Sequence, residues 1–107
     1  MKTNELLGAA LDWAVAKCEG FSNSSWDDER LCFITEFDVD FEPSINWEQG
    51  GKIIERNRIN LWCDGYGDWE AKQYGKHEMW AKRPLVAAMR CYVASKLGEE
   101  VDVPTFI

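Results

Sequence analysis

Apolar residues gather toward the end of the chain and alternate with polar ones in its middle. The longest run that reads as one element is PLVAAMRCYVASKLG at 84–98. Set at 100° per residue, Leu85, Val86, Met89, Tyr92, Val93 and Leu97 share one broad face, while Ala87, Cys91 and Ala94 make the opposite face small and apolar. A helix apolar nearly all round is buried on more than one side. Pro84 suits its first turn and Gly98 its stop. The pattern predicts a central helix with a sheet on one face and another helix on its alanine side.

Helical spacing returns near the start of the chain. Leu6, Leu7, Ala10, Leu11, Trp13 and Ala14 predict a helix over 4–18, capped by Thr3 or Asn4 and stopped by Gly20. Glu5, Asp12 and Glu19 recur every seven residues and predict a solvated acidic stripe opposite. Phe21–Arg30 reads as a polar loop. Over 31–42 the chain reads as a strand, with a clean period of two from Thr35 to Glu42. Leu31, Phe33, Thr35, Phe37, Val39 and Phe41 would point inward from one strand, and Glu36, Asp38, Asp40 and Glu42 would line its outer face. Such a carboxylate row discourages edge-to-edge pairing.

Pro43 ends that strand, and Ser44 or Asn46 can cap a helix over 46–56. Gly50-Gly51 near its start implies a bend, a break or a close approach by another backbone or ligand. Amides near Ser44–Trp47 would suit an anion. Arg58–Cys63 and Asp68–Gln73 read as a hairpin around the glycine-rich turn 64–67. Tyr74–Lys82 reads as a polar connection, and 99–107 as an extended tail.

Composition narrows the functional classes. A length of 107 residues fits one domain with a real core. The net charge of −7 argues against direct nucleic-acid or anionic-membrane binding, which needs a basic surface. No apolar run is long enough for a membrane span. No export cleavage pattern follows the first helix, so the expected compartment is the cytoplasm of a bacterial cell, with Cys18, Cys32, Cys63 and Cys91 as free thiols. Their spacing matches no zinc site, and no nucleotide-binding glycine motif is present, so neither metal nor cofactor is expected.

The chemistry that remains is a binding surface. Ser44, Asn46, Trp47, Gln49, Gly50 and Gly51 form its first candidates, with Arg90 behind them. Arg90 lies mid-helix at the edge of an apolar arc and must find a carboxylate or reach water; Asp12 and Glu55 are candidate partners. His77, the single histidine, has no legible triad around it.

Three segments carry a family resemblance: NELLGAALDWAVAKCEG (4–20), PSINWEQGGKIIERNRINLW (43–62) and PLVAAMRCYVASKLGEEVDVP (84–104). In order and spacing they resemble the NinX-like phage proteins, a family with a domain of unknown function. The family pattern resembles S-T-D-W-x-Q-G-G-P-I-I-E-R. Ser44, Trp47, Gln49, Gly50, Gly51, Ile53, Ile54, Glu55 and Arg56 match it, whereas Ile45, Asn46 and Lys52 replace Thr, Asp and Pro. Ahead of the long helix the family's Gly-x-Thr-Pro is replaced by Ala81-Lys82-Arg83-Pro84. The resemblance implies a small protein from the accessory region of a tailed-phage genome and a helix–sheet–helix sandwich. It brings no activity.

The expected fold is therefore α+β: one mainly antiparallel three-stranded sheet (31–42, 58–63, 68–73) with helices at 4–18, 46–56 and 84–97, in a single domain. The expected function is a non-enzymatic phage accessory protein that binds a host protein or a small metabolite in the infected cell, with a homodimer left open. One alternative is a DNA mimic that blocks a host nucleic-acid enzyme through Asp27–Glu29, Glu36, Asp38, Asp40 and Glu42. The second is a small hydrolase using Asp or Glu with His77.

Overall fold

The computed structural model describes residues 1–21, 25–35 and 38–105. A 3-10 turn at Thr3–Glu5 precedes α1 (Gly8–Cys18). Three short strands follow: β1 (Ser25–Asp27), β2 (Cys32–Ile34) and β3 (Asp40–Phe41). Then come α2 (Trp47–Asn57), β4 (Ile59–Cys63), β5 (Trp69–Gln73), β6 (Lys76–Ala81) and α3 (Pro84–Leu97).

The centre is α3, as its apolar breadth predicts. Every residue from Leu85 to Ala94 is buried. One side of α3 covers the β4-β5-β6 sheet, and α1 and α2 pack against it elsewhere. The register Leu61↔Ala71↔Met79 puts small and flexible apolar side chains together in mid-sheet. Ile59, Ala71 and Met79 are buried there, with Leu61, Trp69 and Ala81 packed against the same core. The outer face carries Trp62, Glu70, Lys72 and Glu78, where Lys72 pairs with Glu78 at 3.0 Å and lies over the Trp62 ring.

Two antiparallel three-stranded sheets replace the expected single one. The polar connection at 74–82 is in fact the third strand of the larger sheet, with Met79 and Ala81 facing the core. Tyr74 and Gly75, both at positive φ, turn the chain from β5 into β6. The second sheet is β1-β2-β3, and it corrects the long strand at 31–42. That segment folds back on itself, pairing Phe33 with Phe41 and Ile34 with Asp40. The reversal is closed by Thr35 N–H to Val39 O at 2.9 Å and by Asp38 at φ 57°, a conformation Asp tolerates better than most residues. Leu31 is exposed instead of inward. The residues Glu36 and Phe37 of the expected strand lie outside the described residues. The polar loop expected at 21–30 contains β1, whose Trp26 meets Phe33 edge-on at 5.3 Å.

The first helix also differs from expectation. It begins at Gly8, and neither Thr3 nor Asn4 caps it. Thr3 is buried and ties the two ends of the fold together: its Oγ1 donates to Gly98 O at 2.6 Å and its N–H to Glu99 O at 2.8 Å. The acidic stripe is not a solvated face, because Asp12 is buried. The four cysteines are free thiols, with Cys63 exposed.

Candidate functional site

The segment 43–51 is built around the start of α2. Asn46 is the cap: its side chain accepts from Gln49 N–H at 3.2 Å. The amides before it are already occupied. Ser44 N–H donates to Asp12 Oδ1 at 2.9 Å, and the N–H groups of Ile45 and Asn46 both donate to Glu42 O. This leaves those three amides nothing to offer the anion expected there. Gly50 answers the expectation of a close approach. A Cβ on it would stand 2.5 Å from Pro43 O and 2.6 Å from Leu85 Cδ2. Gly51 has open space around the same position and sits in unbroken helix.

Ser44 and Gly50 are therefore interior contacts of the fold, and Asn46 a cap. Trp47 is 55% exposed, beside the exposed Ile45. Gln49 lies two residues on and faces elsewhere, toward β3. It clamps that strand to α2: Glu42 N–H donates to its Oε1 at 2.8 Å, and its Nε2 donates to Asp40 O. The sequence-derived site is thus divided between two faces of one helix.

On the Gln49 face the clamp opens onto a cleft of about 290 Å³ between α2, the β2–β3 reversal and the residues after α1. Its walls are Phe21, Val39, Phe41 and Ile53, with Phe21 and Phe41 meeting edge-on at 5.1 Å. Gln49, Lys52 and Arg56 recur at helical spacing along one side. Glu19 closes the far end, accepting from both Arg56 Nη2 and Tyr92 OH. The Glu19 contact raises the pKa of Arg56, while burial, followed by the Glu19 hydrogen bond, raises that of Tyr92. Both groups stay protonated at neutral pH and donate to the Glu19 carboxylate at the end of the cleft. Gln49 is legible in the sequence but the cleft is not, because Phe21, the Val39–Phe41 segment and Ile53 come from separate parts of the chain. The i, i+3, i+4, i+7 run Gln49, Lys52, Ile53, Arg56 was the available signal.

Arg90 does not stand behind this segment. Neither Asp12 nor Glu55 pairs with it. Its Nε donates to Leu6 O at 2.8 Å and its Nη1 to Trp80 O at 2.7 Å, so the expected ion pair is replaced by two backbone carbonyls. His77 is exposed on β6. Among the described residues no group of three or more His, Cys, Asp or Glu side chains could share a metal ion. Among them, too, no helix is long and apolar enough to cross a membrane.

The acidic row is broken by its turn. Arg30 Nη1 bridges Asp38 at 3.2 Å and Asp40 at 3.0 Å, so two of the carboxylates share an internal cation.

No curated protein matches the chain. The family model described as bacteriophage P22 NinX matches residues 2–96, which takes in both sheets, α1, α2 and all of α3 but its last residue. The chain belongs to that NinX family of phage proteins.

Proposed function

We propose that this phage protein is a non-enzymatic binding module whose ligand is a small metabolite of the infected cell, held in the cleft beside α2. The observation that carries the reading is the cleft itself: apolar walls from three elements, a few polar groups on one side, and an end fixed by the Arg56–Glu19–Tyr92 contacts. Its volume of about 290 Å³ is near the lower end for sites that enclose small molecules. The mostly apolar lining suits a compact apolar body, and Lys52 at the rim suits an acceptor or anionic group on it.

A second reading, docking of a host protein, rests on the exposed pair Ile45 and Trp47 at the start of α2. It uses the opposite side of the helix, so the two readings separate cleanly by mutation.

The test is native mass spectrometry against a panel of nucleotides, acyl compounds and aromatic acids. The reading expects a retained compound that is lost in Val39→Trp, which fills the mouth of the cleft from an exposed position, and kept in Trp47→Ala. Loss of every bound compound in Trp47→Ala, with Val39→Trp unaffected, would replace it with the docking reading.

A further inference from the structure

A second cavity, of about 260 Å³, lies along one flank of the first two turns of α3 and shares no lining residue with the α2 cleft. Leu7, Val86, Ala81 and Trp80 supply apolar surface, and Arg90, Arg83, Lys82 and Asp68 supply charge. Asp68 is held by Lys82 at 2.8 Å. Three cations against one carboxylate stand out in a chain of net charge −7.

Arg90 is the unusual member. It is only 8% exposed, and no carboxylate among the described residues forms an ion pair with it. Burying a cation without a counter-charge is unfavourable. Burial is the influence acting on the guanidinium, and it lowers the pKa from the ordinary arginine value. A neutral donor could satisfy carbonyls without that cost, so the two bonds to Leu6 O and Trp80 O do not by themselves account for an arginine. They do fix the plane of the guanidinium. Its third nitrogen, Nη2, makes no hydrogen bond to any described residue, and the side chain lines the cavity. Arg83 stands at the rim as the residue preceding α3. It precedes Pro84 and makes no side-chain hydrogen bond to the start of the helix.

We propose that this cavity is an oxyanion site for a small organic phosphate or carboxylate, gripped by Arg90 and Arg83, with its apolar part against Leu7 and Val86. A planar guanidinium with a free edge suits either oxyanion. The missing counter-ion of Arg90 is then supplied by the ligand.

Titration calorimetry at low ionic strength, with inorganic phosphate, phenyl phosphate and benzoate as probes, tests the site. The proposal expects saturable binding, with an aromatic oxyanion about tenfold tighter than inorganic phosphate because the ring adds apolar contact. The tighter of phenyl phosphate and benzoate identifies which oxyanion the site prefers. Arg83→Glu should weaken the best probe about tenfold or more through charge reversal at the rim. This variant tests the site even if Arg90→Gln fails to fold, because a carboxylate before a helix N-terminus favours the helix. In a folded Arg90→Gln variant binding should be lost. Absence of saturable binding by all three probes in the millimolar range would overturn the proposal and leave Arg90 a clamp between Leu6 and Trp80. Binding that is indifferent to Arg83→Glu would overturn it equally.

Discussion

Ser44 N–H donates to the buried carboxylate of Asp12 at 2.9 Å, across 32 residues of chain. This bond joins the middle of α1 to the loop that starts α2. Burial is the larger influence on the acid and outweighs the Ser44 amide, pushing its pKa up to about 7. The Ser44 hydroxyl is buried without a partner of good geometry, so the charged form is only partly compensated.

A pH dependence follows from Asp12. Below the ordinary carboxylate range the group is protonated both folded and unfolded and contributes no slope. Between about 4 and about 7 the folded state holds the proton more tightly, so stability falls as pH rises. The slope from this one group is on the order of 1 kcal/mol per pH unit. Asp12→Asn keeps an acceptor for Ser44 N–H and removes the titration. Urea midpoints measured across this range should converge at low pH and favour the variant near pH 8. Parallel profiles would show that Asp12 does not titrate in this window.

The two adjacent glycines of α2 should respond in opposite directions to alanine. Gly50→Ala drives a Cβ into Pro43 O and Leu85 Cδ2 and should destabilise the fold by about 1–3 kcal/mol, even after the gain in helix propensity. Gly51→Ala meets no atom within 4 Å and should stabilise it by roughly 0.5–1 kcal/mol. Denaturant unfolding of both variants checks the pair. Equal effects would contradict the close approach at Gly50.

Removing the Gln49 clamp should loosen the cleft more than the fold. Gln49→Ala forfeits the bonds to Glu42 N–H and Asp40 O and should cost about 1 kcal/mol. Hydrogen exchange should rise locally at Glu42 and around β3, with the α3 amides unchanged. Uniform acceleration across the chain would mean that β3 and the core open as one unit.

Much of the architecture was legible because its signals are local. The all-apolar face of 84–98, the cap at Asn46 and the hairpin around 64–67 each announce themselves within a few residues. The strand at 31–42 misled for a geometric reason. Phe33 pairs with Phe41 and Ile34 with Asp40, so partners share parity, and a period-two pattern runs through the reversal unchanged. Only Asp38 marks the turn. The strand at 76–81 went unseen because two of its residues face the core, while His77, Glu78 and Trp80 remain exposed. Asp12 and Arg90 were misplaced because helical spacing shows which face a residue takes, not which backbone groups wait there. Their partners, Ser44 N–H, Leu6 O and Trp80 O, carry no sequence signature. The cleft beside α2 is a product of the same long-range assembly.

Metabolite binding in the cleft beside α2 is the proposal on which the functional reading stands. The most direct measurement is a methyl and backbone NMR titration with the compound retained in native mass spectrometry. Binding in the cleft gives saturable shifts at Val39, Phe41, Gln49 and Ile53, absent from Val39→Trp, with Trp47 unmoved. Shifts centred on Ile45 and Trp47, with Val39 and Ile53 silent, would contradict it.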